Sequence, residues 1–126
     1  MKPCILVVDD EPLLVETITY NLEKAGYQTL RAADGLSALT LARTAQPDLM
    51  VLDLMLPELS GRDVCRALRV DENEHSRNMP ILMLSARSSR DEAECCRKAG
   101  ANDYMTKPFA MRDLIEKVQA LLEKSK

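Results

Sequence analysis

The chain has 126 residues, 46% hydrophobic and 29% charged, a size and balance that suit one domain with its own core and require neither disulfides nor a structural metal. Its 17 Lys and Arg stand against 20 Asp and Glu, a formal charge of −3, so the basic excess of a nucleic-acid-binding domain is absent. No apolar run reaches the ~18 residues of a membrane span, and Met1–Val8 lacks a secretory apolar region with a small-residue cleavage site, so the expected compartment is the cytoplasm.

Cys4-Ile5-Leu6-Val7-Val8 is a continuous rather than alternating apolar run, the pattern of a strand buried on both faces of a parallel sheet. After it, Pro12 suits a first helical turn, Leu14, Ile18 and Leu22 share one stripe, and Gly26 is a C-terminal cap, which predicts a helix over Glu11–Ala25. Tyr27–Arg31 reads as a less apolar strand and Gly35–Thr44 as a helix. A second apolar run, Asp48–Leu52, is followed by a helix over Arg62–Val70 and a polar loop, Asp71–Met79. Pro80–Leu84 is the third such run, Arg87–Ala99 the fourth helix and Asp103–Thr106 a short last strand. Met111, Leu114, Ile115, Val118, Leu121 and Leu122 repeat at three and four residues and predict an amphipathic final helix. Strand and helix thus alternate five times, a (βα)5 chain whose economical architecture is an α/β doubly wound open sheet with helices on both faces.

Cys4, Cys65, Cys95 and Cys96 fall on predicted strands and helices without a CxxC spacing and are read as reduced packing thiols. His75 lies in the polar loop, far in sequence from the carboxylates, and is expected to be solvent-exposed. No domain boundary interrupts residues 1–126, and no effector domain is expected within them.

The chemistry gathers at strand ends. The first strand runs into Asp9-Asp10-Glu11 and the third ends at Asp53, and in doubly wound sheets ligands bind beyond the carboxyl ends of strands where the winding reverses. Carboxylates converging there repel one another, and an all-oxygen cluster suits a hard cation such as Mg2+. Acidic residues also suit a helix N-terminus, but that role leaves Asp53, Ser85 and Lys107 at strand ends unexplained. A carboxylate can attack phosphorus, and the surrounding protein then has to position the group and neutralise its oxygens, for which Lys107 offers a charge and Ser85 a hydroxyl.

Val7-Val8-Asp9-Asp10-Glu11, Asp53-Leu54-Met55-Leu56-Pro57 with Gly61, Leu84-Ser85-Ala86 and Lys107-Pro108-Phe109 together resemble the receiver domain of two-component response regulators, nearly from end to end of the chain. The resemblance implies a flavodoxin-like sheet of five parallel strands ordered 2-1-3-4-5. It implies that Asp53 accepts a phosphoryl group from a sensor histidine kinase or a histidine phosphotransfer protein. Mg2+, with Mn2+ as a substitute, would be held by Asp9, Asp10, Asp53 and the carbonyl of Met55, Asp9 acting partly through water. Lys107 would precede a cis proline, and Ser85 and Tyr104 would form the conformational switch. The output would pass to a downstream effector protein or a C-terminal effector domain, with no direct contact to nucleic acid or membrane. The implied role is a signalling switch rather than a turnover enzyme.

Ala93, Lys98 and Asn102 stand where dimerising transcription-factor receivers place one basic and two acidic residues, which weakens the case for that dimer. An aspartate-nucleophile phosphatase would need a second aspartate two residues after Asp53, where Met55 stands. A flavodoxin-like cofactor binder would need a phosphate loop after the first strand, where Asp9, Asp10 and Glu11 would repel the ligand. Met55 and Arg87 border the path by which water would reach a phosphorylated Asp53, and neither positions water as a carboxamide or carboxylate would, so self-dephosphorylation is expected to be slow.

Overall fold

A computed structural model describes residues 2–125, so Met1 and Lys126, the outermost residues of the expected domain, lie outside it. The three apolar runs form the centre of one parallel sheet: β1 (Cys4–Val8), β3 (Leu49–Asp53) and β4 (Ile81–Ser85). The less apolar β2 (Gln28–Ala32) and β5 (Asp103–Thr106) take the edges, giving the order β2-β1-β3-β4-β5. β3 and β4 are buried along their whole length, as continuous apolar runs require.

Because successive strand residues point to opposite faces, each central strand feeds two cores. Ile5, Val7, Leu49 and Val51 pack with Ile18 and Leu22 of α1 (Pro12–Lys24) and with Leu114 and Val118 of α6 (Met111–Lys124). Leu6, Val8, Met50 and Leu52 face α2 (Gly35–Ala45), α3 (Gly61–Arg69) and α5 (Arg90–Ala99), through Ala38, Val64, Leu68 and Cys96. The doubly wound parallel sheet is therefore as expected. All four cysteines are free, with Cys65 and Cys96 buried, and among the described residues no helix is long and apolar enough to cross a membrane.

Three local expectations are corrected. The polar stretch before β4 contains a short sixth helix, α4 (Glu74–Asn78), capped by Asn73, whose side chain accepts a bond from the Ser76 amide at 3.1 Å. His75 is consequently half-buried rather than exposed: α4 turns its ring onto the Pro47 carbonyl just ahead of β3, with Nε2 2.6 Å from that oxygen. The fourth predicted helix starts at Arg90, not Arg87, because the Ser89 side chain accepts from the Glu92 amide at 3.1 Å and sets the cap there. The spacing Ser89-x-x-Glu92 is a capping signature that would have placed this boundary.

Candidate functional site

The connections from β1 and β3 leave toward opposite faces of the sheet, so a cleft opens beyond their adjacent carboxyl ends. Asp9 follows β1 and Asp53 is the last residue of β3, both buried, while Asp10 is exposed on the rim. One carboxylate oxygen from each of the three lies within 4.8 Å of the others. Asp9 is fixed by accepting the Glu11 amide at 3.0 Å, and Asp53 accepts the Met55 amide at 3.3 Å.

Lys107 enters from the far edge of the sheet. Its amide donates to the Ser85 carbonyl at 2.6 Å, and the Lys107–Pro108 bond is cis. Its Nζ stands 2.9 Å from Asp9 Oδ2 and 3.4 Å from both Asp53 Oδ1 and Glu11 Oε1. Burial works against this ammonium, but the hydrogen bond to Asp9 and the charges of Asp53, Asp9 and Glu11 outweigh it, so its pKa is raised. Burial and then the charge of Asp9 push the Asp53 carboxyl up to about 6, against the pull of Lys107 and the Met55 amide. One ammonium thus faces more negative charge than it can neutralise, and the remaining donors are all oxygen. That set fits a hard divalent cation.

Ser85 ends β4 on the same rim, buried, its Oγ accepting the Arg87 amide at 3.1 Å. Met55, two residues after Asp53, is exposed. Tyr104 on β5 is half-buried against the α3 and α5 core, and its buried hydroxyl has no hydrogen-bond partner among the described residues. The Arg87 side chain is 80% exposed, with Nη1 4.0 Å from a Glu92 carboxylate oxygen. Gly61 belongs to the loop motif read in the sequence, whereas no sequence signal pointed to a pairing of Arg62 with Glu92. A β-carbon on Gly61 would fall 2.4 Å from the Asp53 carbonyl oxygen, so only glycine lets α3 start against the end of β3. Arg62 then pairs with the buried Glu92 at 3.4 Å, joining α3 to α5.

The family described as the response regulator receiver domain matches residues 5–119. The alkaline phosphatase synthesis transcriptional regulatory protein PhoP of Bacillus subtilis (strain 168) is 46% identical over 125 residues, which cover 99% of this chain and 50% of PhoP. The DNA-binding response regulator MtrA of Mycolicibacterium smegmatis is 42% identical, over 99% of this chain and 53% of its own. The chain spans about half the length of the curated relatives it matches. Among solved structures it is similar to the receiver domain of sensor histidine kinase PA1611 from Pseudomonas aeruginosa PAO1, described with a magnesium ion coordinated in the active site cleft. The TM-score is 0.88 and the identity 33%, covering 98% of this chain and 99% of that one.

Proposed function

The chain belongs to the response regulator receiver domain family, and on that premise we propose that it is a phosphorylation switch in which Asp53 accepts a phosphoryl group from a sensor histidine kinase or a histidine phosphotransfer protein. The observation that carries this reading is the buried Asp53 carboxylate sharing one cleft with Asp9, Asp10 and the Lys107 ammonium. An Asp53 oxygen attacks phosphorus in line as the bond from phosphorus to the donor imidazole nitrogen breaks. Lys107 favours the ionised carboxylate that this step requires and then pairs with a phosphoryl oxygen.

Asp9, Asp10, Asp53 and the Met55 carbonyl would hold Mg2+, or Mn2+ in its place, which when bound supplies positive charge to the phosphoryl oxygens. The magnesium in the cleft of the similar Pseudomonas receiver supports the same use of this donor set. The Ser85 hydroxyl turns toward the phosphoryl group, and the Tyr104 ring follows it inward, reshaping the β5 surface. Met55 and Arg87 limit the approach of water and prolong the phosphorylated state. Output passes in the cytoplasm to an effector domain or a separate effector protein, and this domain touches neither nucleic acid nor membrane itself. That the matched stretch is about half the length of the DNA-binding response regulator MtrA supports the alternative of an effector domain.

Intact-mass spectrometry after treatment with acetyl phosphate tests the reading. One phosphoryl mass is expected with Mg2+ and none with EDTA or in Asp53→Asn. A gain that persists in that variant or in EDTA would overturn it.

A further inference from the structure

Gly61 holds the start of α3 against the end of β3, and the next residue, Arg62, reaches across to α5 with Nη2 3.4 Å from Glu92 Oε1. The other oxygen of the same carboxylate lies 4.0 Å from Arg87 Nη1, and the Arg87 amide in turn donates to the Ser85 hydroxyl oxygen. Glu92 therefore links the start of α3 to the loop after β4. It is 7% exposed, whereas the Arg87 side chain is 80% exposed. A buried carboxylate needs a partner, and Arg62 is the nearer one, so Arg87 is the partner that can leave.

We propose that Glu92 is a positioning residue that sets the lifetime of the aspartyl phosphate by holding the Arg87 guanidinium away from the cleft. The inference rests on the reading of Asp53 as phosphoacceptor. Phosphorylation brings a group of about two negative charges, shared over its oxygens, to the rim beside Ser85, and guanidinium binds such oxygens in a fork. An ion pair at 4.0 Å whose guanidinium is largely in solvent is weak, so Arg87 exchanges between Glu92 and the phosphoryl group. Hydrolysis needs water to attack phosphorus opposite the Asp53 oxygen. The bond from phosphorus to that oxygen breaks, inorganic phosphate leaves, the carboxylate is regenerated and the proton passes to solvent. Arg87 lying over the phosphoryl oxygens covers that approach, and Glu92 uncovers it.

The test follows decay of the protein phosphorylated with acetyl phosphate and Mg2+, after donor removal, in four chains: parent, Glu92→Gln, Arg87→Ala and the double variant. Glu92→Gln should slow decay roughly two- to fivefold, the redistribution a surface ion pair commands. Arg87→Ala should decay faster than the parent and be indifferent to the Glu92 substitution, a dependence that a merely structural role for Glu92 would not produce. If thermal melts show Glu92→Gln unfolded, Glu92→Asp keeps the charge at this position while drawing the carboxylate back from Arg87 by one methylene, with the same expected dependence. Acceleration by the Glu92 substitution, no change, or an equal change with and without Arg87 overturns the proposal. Failure of the parent to gain any Asp53-dependent phosphoryl group would overturn the phosphoacceptor reading and the proposal with it.

Discussion

Asp53 must be ionised to act as a nucleophile, yet it ends a buried strand beside a second buried carboxylate, and its pKa rises from 3.8 to about 6. A carboxyl whose folded pKa is raised weakens folding where it is charged. The penalty is absent below 3.8, where both states are protonated, and complete above about 6. Asp53→Asn should therefore be more stable than the parent at pH 7 in EDTA, by on the order of 1–2 kcal/mol once solvent screening is allowed for. The gap should close as pH falls toward 4, and Mg2+ should narrow it at pH 7 by stabilising the parent more. Thermal melts of the two chains at both pH values check this; equal melting temperatures at pH 7 in EDTA would contradict it.

Between elements, Arg69 does what no strand or helix periodicity would announce. From the end of α3 its guanidinium donates to the Gly100 carbonyl at 2.9 Å, to the Arg77 carbonyl at 3.0 Å and to Asn102 Oδ1 at 2.7 Å. The same Asn102 oxygen accepts the Ile81 amide at 2.8 Å, so the start of β4, the start of β5, α4 and the end of α5 meet on one side chain. Gly100, at φ +113°, ends α5 in the left-handed region and leaves room for it, since a β-carbon there would lie 2.5 Å from Arg69 Cγ. Arg69→Ala should cost about 1–3 kcal/mol, three hydrogen bonds from a charged donor set against their partial exposure. Amide exchange over Glu74–Asn78 should rise with it. Denaturant melts and hydrogen exchange measure both, and unchanged protection of α4 would show that Arg69 does not anchor it. Asn102, which stands where a dimerising receiver would carry an acid, is here engaged inside its own chain.

For the molecule as a whole, one sheet separates two cores, and among the described residues the only elements common to both are strands. Leu68 of α3 and Leu114 of α6 are fully buried on opposite faces. Leu68→Val and Leu114→Val should each cost about 1 kcal/mol, a methylene and its residual cavity. The double variant should equal their sum within about 0.5 kcal/mol, because no side chain is shared. Equilibrium denaturation checks this, and a larger departure would mean that the faces communicate through the sheet.

The sequence by itself determined the alternation of strand and helix, the parallel doubly wound sheet and the strand ends that carry Asp9, Asp10, Asp53, Ser85 and Lys107. It could do so because apolar runs and helical stripes are local patterns, and a parallel sheet brings the ends of its strands to one edge. Even there the capping pair Ser89 and Glu92 was needed to place α5, and the short α4 was hidden in a polar stretch. Only the tertiary structure decided that Lys107 reaches Asp9 across 98 residues, that His75 folds onto Pro47 and that Arg87 leans on Glu92. Those arrangements depend on rotamers chosen by neighbours from distant segments, and on burial that shifts the charge state of Asp53. No local periodicity encodes either.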